Sequence, residues 1–259
     1  MQKDLALFPD ERTQAAWRPV WLLATALLVF AASVALGLVA MVAVARVAQG
    51  LGVLDGAVRI DMFHVRMASG VRAGTVVALF TLAGLATQAV LVAGAIVPAR
   101  RASGLSVAAA IGLRRPHGLP AGALLALALA VVLYAFAADA VLTAWHGSSG
   151  LRWTFMTMGT TALPYLLVLS VGAPLAEEFL FRGWLLAGLL RHWRPWSAIL
   201  VSGLFWADLH MFADPLKALL LFAPGILFAW LRVRTGSIWP PVMLHMLLNS
   251  FAIFLSAVR

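Results

Sequence analysis

The chain has 259 residues, of which 63% are hydrophobic and 11% charged, and its mean hydropathy is +0.96. Soluble domains carry about 45–50% apolar and about 25% charged residues, so this composition excludes an ordinary soluble enzyme. The absence of cysteine excludes disulfides, thiolate metal sites and a cysteine nucleophile. The net charge of +9 comes from basic residues that flank apolar runs, which argues against nucleic acid as a partner.

Apolar runs of bilayer-spanning length recur along the chain, without the alternation of barrel strands. The pattern predicts an all-α fold, a polytopic transmembrane helical bundle of about seven (six to eight) spans, at about 20–45, 75–98, 121–145, 161–190, 196–213, 216–231 and 238–258. As one straight helix the fourth run would be about 45 Å long, which exceeds the ~30 Å hydrocarbon core. Gly172 and Pro174 lie inside that run and predict a break or kink there.

The spans divide the chain into three predicted regions. We expect residues 1–19 to form a cytoplasmic N-terminal segment, 20–160 the N-terminal transmembrane helices, and 161–259 a transmembrane core that contains the polar groups described next. With seven spans and the N-terminus inside, twelve Lys and Arg residues fall on the inner side and seven on the outer side, which favours this orientation. The Arg-rich, Ala-rich composition is typical of a bacterium, so we expect a multi-pass protein of a bacterial inner membrane.

Ionisable side chains inside apolar segments are expensive in a bilayer and are therefore functional or pairing candidates. The first such group is Glu177, Glu178 and Arg182. On a helix Glu178 and Arg182 are i,i+4 neighbours that can pair, whereas Glu177 lies about 140° from Arg182. The spacing predicts a neutralised carboxylate at Glu178 and a free one at Glu177. A purely structural salt-bridge cluster is the alternative.

Two further groups place polar side chains on the last helices. His210 shares a helix face with Trp206, while Asp208 points elsewhere. His245 and Asn249, the one asparagine of the chain, are i,i+4 neighbours. Each group alone is explained by a hydrogen bond between helices. Taken together with a free carboxylate, they supply a base, a positioning group and hydrogen-bond donors, which amide hydrolysis requires.

The three groups, in this order, resemble the motifs of the CPBP family of intramembrane proteases. This family includes the type II CAAX prenyl endopeptidases and the bacteriocin-processing or immunity (Abi) proteins of bacteria. The glutamate pair with Arg182 matches EExxxR, and His245 with Asn249 matches HxxxN. The FxxxH motif is matched at His210, but Trp206 stands in place of its phenylalanine. The resemblance covers about 164–253.

The resemblance implies a role for each matched position. Glu177 would be the general base that activates water, and His210 would bind and orient that water. His245 and Asn249 would donate hydrogen bonds to the oxyanion of the tetrahedral intermediate. The positions that would support these four catalytic residues are Glu178, Arg182 and Trp206.

Metal dependence is open, because proteins of this group are often classed as metalloproteases. Glu177, His210 and His245 would be a plausible zinc set, with water as the fourth ligand. A glutamate that ligates zinc is not free to act as the base, however, and the sequence has no HExxH motif with a separate glutamate. We therefore expect no cofactor and keep zinc as the alternative.

The favoured function is hydrolysis of a peptide bond in a membrane-associated protein or peptide, whose prenylation the sequence does not indicate. The expected partners are the lipid bilayer and this substrate. One alternative is a non-catalytic bacteriocin-immunity or scaffold protein. Another is a small transporter in which Glu177 and His210 relay protons, but no paired inverted repeat is visible.

Overall fold

A computed structural model describes residues 19–50, 58–60, 65–67, 73–103, 106–146, 163–211 and 214–258. The helices in these ranges are α1 (Pro19–Gly50), α2 (Ala73–Ser103), α3 (Val107–Ile111), α4 (Ala121–His146), α5 (Leu163–Leu189), α6 (Pro195–Asp208), α7 (Pro215–Thr235) and α8 (Trp239–Val258). Between α1 and α2, the strands β1 (Val58–Ile60) and β2 (Val65–Met67) pair antiparallel, with Val58 opposite Met67. The predicted N-terminal segment 1–19 lies outside the described residues except for Pro19.

The predicted helical membrane bundle is confirmed, and each of the seven apolar runs forms a helix. Within the described ranges, α1, α2, α4, α5 and α7 are long and apolar enough to cross a membrane. The apolar part of α8, Trp239–Leu255, is shorter, and α6 has only 14 residues, or about 21 Å of helix. The sequence did not predict the short β1–β2 hairpin.

One face of α4 carries large apolar side chains that the bundle leaves exposed. Leu125, Leu129 and Leu133 follow one another at a spacing of four residues, which places them on one stripe of the helix. An exposed apolar stripe of this length suits contact with lipid rather than water.

The core of the bundle is assembled from neighbouring helix pairs. Helix α1 packs on α2, α6 on α7 and α8 on α4, while α5 contacts both α2 and α8. Helices α6 and α7 cross most closely at Gly203 and Gly225. A Cβ atom added to Gly203 would lie 2.8 Å from the backbone nitrogen of Ile226, and one added to Gly225 would lie 2.7 Å from the Gly203 carbonyl oxygen. Small residues are therefore required at this crossing.

Helix α5 has the interruption that Gly172 and Pro174 predict, in the form of a π-helical turn over Val168–Gly172. The backbone N–H of Ala173 donates to the carbonyl of Val168, five residues earlier. The next carbonyl, that of Leu169, lacks the equivalent donor because Pro174 has no N–H. A second π-helical turn, Phe179–Leu185, follows the short α-helical stretch that carries the two glutamates.

Side chains from other helices satisfy the carbonyls of this turn. Gln88 Nε2 of α2 donates to the Val168 carbonyl at 2.8 Å, and Asn249 Nδ2 of α8 donates to the Leu169 carbonyl at 3.1 Å. An unpaired carbonyl is costly at a depth where water is absent, so these bonds help to hold α5 between α2 and α8.

A proline inside α7 likewise leaves a backbone carbonyl without its helical N–H donor. Pro224 cannot donate to the carbonyl of Leu220, four residues earlier, and the Tyr134 hydroxyl of α4 donates to that carbonyl instead.

We expect Tyr134→Phe to lower the free energy of unfolding by about 1 kcal/mol, the usual contribution of one hydrogen bond. Unfolding of the purified protein in bicelles would measure this loss. Pro224→Ala supplies a backbone N–H to the same carbonyl, so Tyr134→Phe should cost less in that background. If Tyr134→Phe lowered the free energy of unfolding equally with proline and with alanine at position 224, the Tyr134 hydroxyl would not be replacing the missing N–H.

Candidate active site

A buried carboxylate lies at the centre of the site. Glu178 Oε1 accepts a hydrogen bond from Arg182 Nη1 at 2.9 Å and another from His245 Nδ1 at 3.0 Å. Glu178 and Arg182 are fully buried, and His245 is 2% exposed. Arg182 Nη2 also donates to the carbonyl of Gly225 at 3.1 Å. The ion pair expected between Glu178 and Arg182 is therefore present, and the network joins α5, α7 and α8.

The contact with Glu178 defines which nitrogen of His245 carries a proton. An ionised carboxylate only accepts hydrogen bonds, so Nδ1 must be the donor. The other ring nitrogen, Nε2, lies 4.0 Å from Glu177 Oε2. This distance is too long for a direct hydrogen bond, but one water molecule can contact both atoms at about 2.8 Å.

Glu177 differs from its neighbour in both burial and partners. Its side chain is 16% exposed, and Oε2 accepts a hydrogen bond from the indole Nε1 of Trp206 at 2.6 Å. In the part of the chain that the structure describes, no Lys or Arg lies within ion-pair distance of Glu177. The carboxylate is thus free of Arg182, as the helix geometry predicted, but it has a neutral donor that the sequence did not predict.

His210 lies in the turn after α6 and not on a helix, which corrects the expected apolar helix over 196–213. Its Nδ1 is 3.1 Å from the carbonyl oxygen of Trp206. A carbonyl only accepts, so Nδ1 carries the proton and Nε2 has a lone pair in the neutral ring. Burial lowers the pKa of His210 below its ordinary value, although Glu177 opposes this shift. The ring is therefore suited to accept a hydrogen bond at neutral pH.

Polar contacts at the start of α7 hold the His210 turn. The backbone N–H of Asp214 donates to the His210 carbonyl at 3.0 Å. The Asp214 carboxylate caps α7 by accepting from the backbone N–H groups of Leu216 and Lys217, and its Oδ2 lies 2.9 Å from His146 Nε2 of α4. The end of α4 and the cap of α7 therefore fix the position of the turn.

The indole of Trp206 contacts most of the predicted site residues. Its ring centroid lies 4.9 Å from Arg182 Cζ, 5.3 Å from the His210 ring and 5.1 Å from the His245 ring. Phe205, the other aromatic near this motif position, faces Phe181 instead, at 6.3 Å between centroids. Trp206 therefore occupies the place of the motif's aromatic residue.

A glycine turn between α7 and α8 sets the position of His245. Gly236 has a φ of +64°, a left-handed conformation that favours glycine. Ser237 Oγ donates to the carbonyl of Arg114 at 2.6 Å and accepts from the backbone N–H of Trp239 at 3.2 Å. These bonds fix the start of α8, so His245 and Asn249 reach α5 from a rigid helix.

The structure brings Glu177, His210 and His245 together around Trp206. Asn249 lies one turn beyond His245 and donates one amide hydrogen to the Leu169 carbonyl. Its amide group carries a second hydrogen, which makes no hydrogen bond among the described residues. The hydrogen bond from Trp206 was missed because it joins residues 29 positions apart. A tryptophan in place of the motif's phenylalanine was the one available signal.

The alternative zinc set does not fit this geometry. Among the residues that the structure describes, no three His, Asp or Glu side chains are placed so that they could hold one metal ion. Glu177, His210 and His245 are neighbours but do not form such a group.

Comparison with known proteins agrees with the motifs. Residues 159–251 match the family described as type II CAAX prenyl endopeptidase Rce1-like. The resemblance stated from the motifs is confirmed for this Rce1-like segment, which contains each predicted site residue. No solved structure matches the chain.

Two curated relatives each match about a third of the chain. One, from Bacillus subtilis (strain 168), is named "Putative membrane peptidase YdiL" and is 34% identical over 96 residues, which are 36% of this chain and 38% of the relative. The other, an "Uncharacterized 24.3 kDa protein" of Escherichia coli, is 34% identical over 85 residues, or 31% and 39%. The matches thus span under half the length of each relative.

The burial of the two glutamates predicts unequal effects on folding. Glu178→Gln removes the charge that compensates a buried guanidinium, so we expect it to lower the free energy of unfolding by about 3 kcal/mol or more. Glu177→Gln, the matched control, should cost less than about 1 kcal/mol because no buried cation depends on it. Denaturant unfolding in detergent measures both. A larger loss from Glu177→Gln would contradict the assignment of Glu178 as the structural carboxylate.

Proposed function

We propose that this protein is an intramembrane endopeptidase that hydrolyses a peptide bond of a membrane-associated protein or peptide by glutamate-activated water. The observation that carries the proposal is the Glu177 carboxylate, which has no Arg partner among the described residues and whose Oε2 lies 4.0 Å from His245 Nε2. A water molecule in this position would touch both the base and a group able to stabilise developing charge. The Rce1-like match supports the same activity.

In this mechanism Glu177 takes a proton from the water as the water oxygen adds to the substrate carbonyl carbon. The His210 Nε2 lone pair accepts the second water hydrogen and so orients the attack. Collapse of the tetrahedral intermediate breaks the C–N bond, and the proton held by Glu177 passes to the leaving amine. Atoms and charges balance without a further reactant.

Two groups are proposed to stabilise the oxyanion of the intermediate. Asn249 donates its second amide hydrogen. His245 donates from Nε2 in its doubly protonated form, in which Nδ1 keeps its hydrogen bond to Glu178. Arg182 and Trp206 support these groups by holding Glu178 and Glu177, respectively.

The proposal also covers the cell location and the class of substrate. We propose a multi-pass protein of a bacterial inner membrane with a cytoplasmic N-terminus, acting on a protein or peptide partner in that membrane.

We expect Glu177→Gln to reduce cleavage at least about a thousandfold because the variant has no base. Comparative proteomics of peptide termini from membranes that contain either protein would measure the loss and identify the cleavage sites. Asp208→Asn is the matched control, since Asp208 is an exposed carboxylate on α6 and should leave the cleavage rate unchanged. Undiminished cleavage by Glu177→Gln would exclude this mechanism. Identical termini with and without the protein would favour the non-catalytic immunity or scaffold protein.

We also expect catalysis without a metal ion. The purified protein should contain less than about 0.1 equivalent of zinc and should keep its rate in excess chelator, because Glu177 acts as the base rather than as a ligand. Metal analysis of the protein, together with a rate measured before and after dialysis against chelator, tests this. One tightly bound zinc equivalent whose removal abolishes cleavage would establish the metalloprotease instead.

A further inference from the structure

The position that the FxxxH motif gives to phenylalanine is held here by a residue with a hydrogen-bond donor. Trp206 Nε1 donates to Glu177 Oε2 at 2.6 Å, which is short even for a hydrogen bond to a carboxylate. Trp206 is 1% exposed, so water does not compete for the indole N–H. A phenylalanine would fill much of the same space but would leave Oε2 without this donor.

The bond distinguishes the two oxygens of the Glu177 carboxylate. Oε2 accepts from the indole, whereas Oε1 has no hydrogen-bond donor among the described residues. The indole is held by the core on its other sides, since it contacts the Arg182 guanidinium and the Phe228 ring. Trp206 can therefore fix the rotation of the carboxylate as well as its charge distribution.

We propose that Trp206 is a positioning residue for the base: its indole N–H holds Glu177 Oε2 and so fixes the orientation in which the carboxylate takes the proton from water. This inference rests on the proposed function. It adds that the donor sets the orientation of the base, because a hydrogen bond to an ionised carboxylate is short and strong.

The other charged or titratable groups around Glu177 lie on several elements, and none of them is altered by a substitution at Trp206. Arg182 and Glu178 lie on the same helix and pair with each other, and His245 on α8 faces the carboxylate at 4.0 Å. His210 on the α6–α7 turn interacts electrostatically with Glu177 and with Lys217 of α7. Replacement of Trp206 by phenylalanine changes none of these charges, so its effect reports on the indole donor.

The first test needs no proteolysis. In protein labelled with ¹⁵N-indole tryptophan, the Nε1–H resonance that disappears in Trp206→Phe is assigned to Trp206. We expect this proton to resonate well downfield of the other indoles in the wild type, because its bond to the carboxylate is short, and to move towards the ordinary indole position in Glu177→Gln. A resonance at the ordinary indole position that Glu177→Gln does not change would overturn the inference.

The second test is kinetic and uses a quenched fluorescent peptide copied from the strongest cleavage site of the proteomic experiment. Trp206→Phe should lower kcat about 10- to 100-fold with little change in KM, because the substrate still binds while the base is no longer held in place. Trp184→Phe, which truncates another buried tryptophan of the core, should change kcat by less than about twofold.

The possible results separate this inference from the proposed function. Should Trp206→Phe fail to fold, 3-benzothienylalanine at position 206 keeps the bicyclic shape without the N–H and should reproduce the loss of kcat. Loss of cleavage in Glu177→Gln together with an unchanged kcat in Trp206→Phe would reject the positioning role alone. Full cleavage by Glu177→Gln would reject the proposed function, while the indole resonance would still decide whether the hydrogen bond exists.

Discussion

One buried carboxylate oxygen, Oε1 of Glu178, holds the site together by accepting hydrogen bonds from two helices. A buried carboxylate is tolerated only when its charge is compensated, and Arg182 and His245 both contribute to that compensation. Because Arg182 also donates to the Gly225 carbonyl, the same network fixes α7 against α5 and α8. The direction of His245 Nε2 towards Glu177 follows from it, since Nδ1 is committed to Glu178.

The second constraint is that backbone carbonyls at membrane depth need donors. The proline in α5 and the proline in α7 each remove one, and side chains from other helices replace them: Asn249 at Leu169 and Tyr134 at Leu220. Polar residues in apolar segments can thus serve either the backbone, by donating to its carbonyls, or the chemistry of the site. We propose that Asn249 serves both, because one amide hydrogen binds a backbone carbonyl and the other is proposed to bind the substrate.

The sequence predicted those features that depend on local spacing. Helix positions follow from apolar runs, and the Glu178–Arg182 pair follows from an i,i+4 interval even though the backbone widens to a π-helical turn there. Features that depend on tertiary distance were not predictable in this way. The turn at His210 ends a helix inside an apolar run, and the bond from Trp206 to Glu177 crosses between helices. Residue types alone also suggested a zinc set, which requires a convergence of atoms that composition does not specify.

The two adjacent glutamates acquire different chemistry from their neighbours rather than from their own positions in the sequence. Glu178 is fully buried between a guanidinium and an imidazole, so its charge is already used for folding. Glu177 is partly exposed, and its hydrogen-bond donor is a neutral indole, so its negative charge is not cancelled by an ion pair. The helix therefore carries, side by side, a carboxylate whose charge is compensated in the core and the carboxylate that we propose as the base.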